Sequence, residues 1–266
     1  MSGSAMSPGS MTASRRVGAV RATLLSYRVL IRQIVSAGRL AALGALGAIM
    51  IVVGWVAGIS PITRGLSDDA LLRDGAGYAD AFGLIVIVPI VSLVFAAASL
   101  GDARDDGTLV YLWLRPMGRA PVAIAAAAVS MTVALPLCVA PTVLGGWLAS
   151  GRVAGSGNLA VGILAAAALG TAAYSCLFVL VGLLFRKAVL WGIAYVLLWE
   201  GLAVGLGDFA ARLSLRGYAR SVLAHLADVD LDFEPNRLAT SVIVLACVSI
   251  ASLGLAALRL RHLNVD

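Results

Sequence analysis

Glu200 stands alone in the run LLWEGLAVGLG, residues 197–207. It is the one ionisable side chain well inside an otherwise apolar window. A carboxylate there is costly, because a low dielectric penalises its charged form, and such groups mark functional sites by default. Two roles are open. Glu200 lines a route through the apolar region, binding a cationic or polar group or pairing with a neighbouring helix. Alternatively its helix is shifted, and Glu200 lies near an aqueous edge beside an arginine. Asp208 is eight residues on, about 12 Å along a helix.

The other reactive side chains offer little chemistry. Cys138, Cys176 and Cys247 fall in three separate apolar runs with no Cys-x-x-Cys spacing. They read as small apolar residues rather than a thiol or metal site. Lys187 is the only lysine, flanked by Arg186 and Ala188. G-x-x-x-x-G-K-[ST] cannot be built around it, so the sequence holds no P-loop. No pattern suggests a hydrolase or an oxidoreductase, and neither a cofactor nor a metal is expected on this chain.

A second group with usable chemistry is 101–119, GDARDDGTLVYLWLRPMGR. Asp102, Asp105 and Asp106 come first, and Arg115 and Arg119 come last. If 104–114 is a short helix, its acids sit at the positive end and its bases at or beyond the negative end. Leu109, Leu112, Trp113 and Leu114 give it an apolar side, and Pro116 stops it. Such a helix can present apolar surface to a partner protein.

The elements that must position these groups follow from composition. The 266 residues are 61% hydrophobic and 13% charged, with a mean hydropathy of +0.97. A soluble domain carries about 25% charged residues. The class is therefore an all-α integral membrane protein. Windows without Asp, Glu, Lys or Arg lie at 40–63, 81–101, 120–151, 153–185 and 238–258, and 188–207 contains only Glu200. Each is long enough for one helix of roughly 20 residues. Six spans are expected, near 41–59, 82–100, 121–148, 159–184, 188–206 and 239–258. Helices satisfy their own backbone in lipid, and the runs do not alternate as barrel strands would. Pro136 and Pro141 are expected to kink span 3 or break it locally.

Orientation follows from Lys and Arg. With the N-terminus inside, 13 of them are cytoplasmic and 7 external, as the positive-inside rule requires. Both termini are then cytoplasmic, and so is 101–119, between spans 2 and 3. The net charge of +6 faces anionic lipid; no basic surface is large enough for nucleic acid. His225 and His262 fall in different compartments, so no triad or zinc site can use both.

Residues 1–14 are Ser, Gly and Met rich and read as a disordered tail. Over 15–40, Arg21, Arg28, Arg32 and Arg39 stack on one helical face. An amphipathic helix along the inner leaflet is expected there, a plain run-in to the first span being the alternative. The transmembrane domain is 41–258 and the cytoplasmic tail 259–266. The external segment 208–237 begins with a second amphipathic stretch, 208–227, which gates an exit or caps the spans. Small residues recur at helical spacing: Gly54 and Gly58, and Gly201 and Gly205. This GxxxG spacing lets helices approach closely, between two copies or within one chain.

Asp105-Asp106-Gly107-Thr108-Leu109, then Leu112, Leu114, Pro116 and Arg119, resembles the pattern of the ABC-2 family of ABC transporter permeases. That family shows acids, Gly-Thr-Leu, a Leu-rich helical stretch and a Pro nine residues after the Gly, closing with a small residue and Arg. Here Ala103 stands where an acid is common and Gly118 where Ser is common. The architecture is also similar across most of the chain. The resemblance implies that Asp105, Asp106, Gly107, Thr108, Leu109, Leu112, Pro116 and Arg119 form a coupling helix seated on a cytoplasmic ATPase. It implies two copies of that ATPase, carrying ATP and Mg, a second permease copy forming a homodimer, and a place in the inner (plasma) membrane. Spans 1 and 5 would then line the dimer interface.

The function expected is ATP-driven export of a hydrophobic or amphipathic compound such as a drug, lipid or natural product. Export is expected because nothing marks a docking surface for an external binding protein. A secondary transporter without an ATPase would need membrane acids beyond Glu200. A non-transport scaffold or assembly protein would purify without an ATPase.

Overall fold

The computed structural model describes residues 19–63, 65–101, 119–200, 214–231 and 233–262. Every element among them is helical. The chain opens with α1 (Ala19–Ile34). It buries Ala22, Ser26, Leu30 and Ile34, a stripe at every fourth residue, while Arg21, Arg28 and Arg32 stay exposed. Tyr27 crosses to the third span, donating to Thr132 Oγ1 at 3.1 Å. The chain breaks at Ser36, whose extended backbone and Oγ cap the next helix by accepting from Arg39 N at 3.3 Å.

That helix, α2 (Ala37–Ile59), buries only Leu43, Gly47, Met50 and Gly54. The stripe fits α4 (Arg119–Ala149), and much of the rest of α2 is apolar and exposed, Ile49, Val52, Trp55 and Val56 among it, as lipid contact requires. Gly47 lies against the Pro141 ring. Pro136 and Pro141 both sit within the continuous helix α4.

Between α2 and α4 runs α3 (Asp68–Leu100), which begins well before the expected 82. Ser67 caps it by accepting from Ala70 N at 3.3 Å, and Asp68 and Asp69 occupy its positive first turn. At 33 residues it is about 50 Å long, against roughly 30 Å for a hydrocarbon core. Its first turns therefore stand clear of the slab, and the charges that argued against a span there are tolerated. Two stretches, Ala79–Ile87 and Ala97–Gly101, are π-helical. The first ends where Val88 N–H returns to Gly83 O, immediately before Pro89. Proline has no N–H and its ring crowds the carbonyl four residues back, so the preceding turns widen.

α5 (Ser156–Leu184) completes the centre. α3 and α5 each have 67% of their apolar window buried, against 17% for α2 and 22% for α8 (Leu238–His262). α3 and α5 are thus the inner helices, and α2 and α8 the flanking ones. Among the described residues five helices are long and apolar enough to span a membrane: Ala37–Ile59, Asp68–Leu100, Ala120–Ala149, Ser156–Leu184 and Leu238–Leu260. They match the expected spans 1, 2, 3, 4 and 6. The expected span 188–206 is described only over α6 (Ala188–Glu200). Its remainder, the tail 1–14, residues 102–118, Gly201, Gly205 and 208–213 lie outside the described residues.

The last element, α7 (Leu215–Ala227), falls in the expected amphipathic stretch 208–227 but is largely buried. Leu215, Ala219, Val222, Leu223, Ala224 and Ala227 all face the bundle. Gly162 of α5 meets Ala227 N and Leu223 O, and Gly170 meets Ala219. α7 therefore runs antiparallel along α5. Continued to Leu215, it begins level with about residue 174, which is about 27 Å along α5 from Ser156. The helix starts deep in the bundle and rises to the end where α2 finishes and α5 starts. The start of α7 lies against the end of the described part of α6, where Leu215 N meets Glu200.

Candidate functional site

The N-terminus of α7 needs partners, because its first backbone donors have no acceptor within the helix. Ser214 caps it, its Oγ accepting from Gly217 N at 3.1 Å. The Ser214 hydroxyl in turn donates to Glu200 Oε2. Leu215 N donates to Glu200 Oε1 at 3.2 Å, and the Tyr195 hydroxyl to the same oxygen at 3.3 Å. Glu200 itself ends the π-helical stretch Tyr195–Glu200 and is 4% exposed. The buried carboxylate thus takes three donors and sits at the positive end of a helix dipole, which together make its charge tolerable. Tyr174, Phe178 and Tyr195 cover this junction, with ring centroids 5.7 Å and 6.1 Å apart along the series.

On α7 two arginines four residues apart share a face, the first of them next to Leu215. Arg216 binds Asp80 with both arms: Nη2 to Oδ2 at 2.8 Å and Nε to Oδ1 at 3.3 Å. Arg220 Nε lies 3.2 Å from Oδ2, near enough for an ion pair but not aligned as a hydrogen bond. Arg220 also donates to Leu231 O at 2.6 Å and lies 4.2 Å over the Phe233 ring. The side chains are 7% exposed at Asp80, 14% at Arg216 and 27% at Arg220. A buried pair gains little over apolar packing, but removing one partner leaves an uncompensated charge. α7 is therefore tied at its start to α6 and along its length to α3. A groove of about 560 Å³ opens beyond this cluster, lined by Ala57, Thr63, Arg73, Asp74, Tyr78 and Arg220 among others.

Sequence reasoning singled out Glu200 and not Asp80, Arg216 or Arg220. Asp80 falls just before a charge-free window and reads as an external acid. Arg216 and Arg220 read as the wet face of an external helix. The signal that could have found them is the four-residue spacing of arginines on a helix otherwise apolar, which calls for a buried acid. Asp80 is a second acid inside the bundle, contrary to expectation, and it is held by arginines rather than left to carry ions.

The remaining expected residues fall as follows. Gly54 and Gly58 face α4 of the same chain, where an added Cβ would strike the carbonyl oxygens of Gly145 and Leu148. Asp105, Asp106, Gly107, Thr108, Leu109, Leu112 and Pro116 lie outside the described residues, and Arg119 opens α4. Cys138 and Cys176 are buried and Cys247 exposed, all as free thiols. Among the described residues no group of three or more His, Cys, Asp or Glu could hold a metal ion.

Residues 37–207 match the model of a family described as ABC-2 family transporter protein. None of the curated proteins matches the chain. The matched region contains 101–119, Asp80 and Glu200; α7 and α8 lie beyond it.

Proposed function

The chain belongs to the ABC-2 family of transporter proteins, and from that premise we propose that it is a permease subunit driven by a separate ATPase, exporting a hydrophobic or amphipathic compound. The observation that carries the reading is the family match, which spans the Gly107-Thr108-Leu109 segment as well as four of the five long apolar helices. Without a P-loop of its own, the chain depends on a partner for nucleotide chemistry. ATP and Mg belong on that ATPase, two copies of which serve a homodimer in the inner membrane. Residues 101–119 seat on the ATPase and pass its opening and closing to α3 and α4, whose ends flank the segment.

Glu200 serves this scheme by holding α7 in place. Its donors are the hydroxyls of Tyr195 and Ser214 and the Leu215 N–H, which supports a positioning role over direct capture of a cation. Gly54 and Gly58 are occupied by α4, so the contact between copies falls to other faces, Gly201 and Gly205 among them. The exposed apolar faces of α2 and α6, including Trp55, Leu190, Trp191 and Leu197, suit lipid or a second copy.

Inverted membrane vesicles carrying the chain with its ATPase test this function. ATP should drive accumulation of amphipathic dyes inside them, and omission of ATP should abolish it. A complex that hydrolyses ATP but moves no compound in a panel of amphipathic cations, anions and lipids would contradict the export reading.

A further inference from the structure

We propose that the Asp80–Arg216–Arg220 cluster is the joint that passes movement of α3 to α7, making Asp80 a positioning residue of the transport cycle. The proposal rests on the reading of 101–119 as the contact with the ATPase. α3 runs from that segment to Asp80 without interruption, so a displacement of the segment is delivered along one helix. Asp80 lies in the first turn of the π-helical stretch Ala79–Ile87. A π turn holds one residue more than an α turn, so losing or moving it rotates what lies beyond by about 100°. Asp80 stands where such a change of register is felt.

The ion pair cannot follow that rotation gradually. A guanidinium or carboxylate buried at 14% and 7% exposure is costly once it loses its partner. The pair therefore stays whole and carries α7 with α3, or it breaks entirely, which gives two discrete arrangements rather than a continuum. α7 is suited to be carried, for Glu200 hinges its start on α6. Arg220 extends the linkage outward, since it also holds Leu231 O and covers Phe233. The residues flanking Asp80, Tyr78 and Ala81, line the groove beyond the cluster together with Arg220. Movement of the joint thus changes the shape of that groove.

The test uses the full chain with its ATPase in nanodiscs, comparing wild type, Asp80→Asn and the exchange Asp80→Arg with Arg216→Asp. Three quantities are read: ATPase co-purification, ATP-driven transport, and the distance between spin labels at Phe82→Cys and Leu226→Cys, both exposed positions. For Asp80→Asn we expect the ATPase retained, transport lowered about ten-fold, and the α3–α7 distance no longer held to its wild-type values through the cycle. The exchange should restore transport to within about three-fold of wild type. Transport by Asp80→Asn within about two-fold of wild type would overturn the joint, as would an exchange variant that folds without restoring transport. If Asp80→Asn does not accumulate in the membrane, Arg216→Lys keeps the charge and loses the two-armed contact. Transport lost with the ATPase retained then supports the joint, and unchanged transport overturns it. A wild-type chain with no ATPase overturns the function reading itself, whereas a wild-type complex insensitive to these changes overturns only the joint.

Discussion

A carboxylate survives at Glu200 because the chain brings donors to it. The apolar run around it made Glu200 visible in sequence as an isolated acid, while its role was not visible, since Ser214 and Leu215 lie 14 and 15 residues on. The contacts predict how substitutions should differ. Glu200→Ala removes the acceptor for the start of α7 and should destabilise the chain by about 2 kcal/mol. Glu200→Gln keeps one acceptor oxygen and should cost less. Thermal unfolding in detergent ranks the two; equal loss from both would mean that charge, rather than hydrogen bonding, is what holds α7. Asp80 was illegible for a related reason, as its partner Arg216 is 136 residues away in the chain. Long-range charge pairing leaves no local pattern.

At the scale of elements, the apolar windows were legible because lipid demands them, and five of the six expected spans coincide with long apolar helices. The start of α3 was not legible. Asp68, Asp69, Arg73 and Asp74 look like a loop, yet Ser67 caps a helix through them that projects past the apolar slab. The GxxxG spacing at Gly54 and Gly58 was plain, but its partner was not, since small residues fit any close helix. The structure gives that partner as α4, and a sharp expectation follows. Gly58→Leu should push α2 off the Leu148 carbonyl and lower stability by about 3 kcal/mol or abolish accumulation, as overpacking does. Gly44→Ala, with open space around it, should leave stability unchanged. Equal tolerance of both substitutions in an unfolding assay would contradict the α2–α4 contact.

At the scale of the molecule, a flanking α2 and α8 surround the more buried α3 and α5, and α7 packs along α5. The family was legible because 101–119 pairs an acidic start with Gly-Thr-Leu and a spaced Pro inside a long apolar chain. The burial of α7 was not, because 208–227 reads as an amphipathic stretch resting outside the spans. We propose that a separate ATPase works this chain through 101–119. This coupling is tested most directly by purifying the tagged chain in mild detergent beside a Gly107→Arg, Thr108→Arg variant and assaying ATP hydrolysis. A P-loop ATPase should accompany the wild type and be lost from the variant, with both chains equally folded. Absence of any ATPase from the wild type, or its retention by the variant, would contradict it.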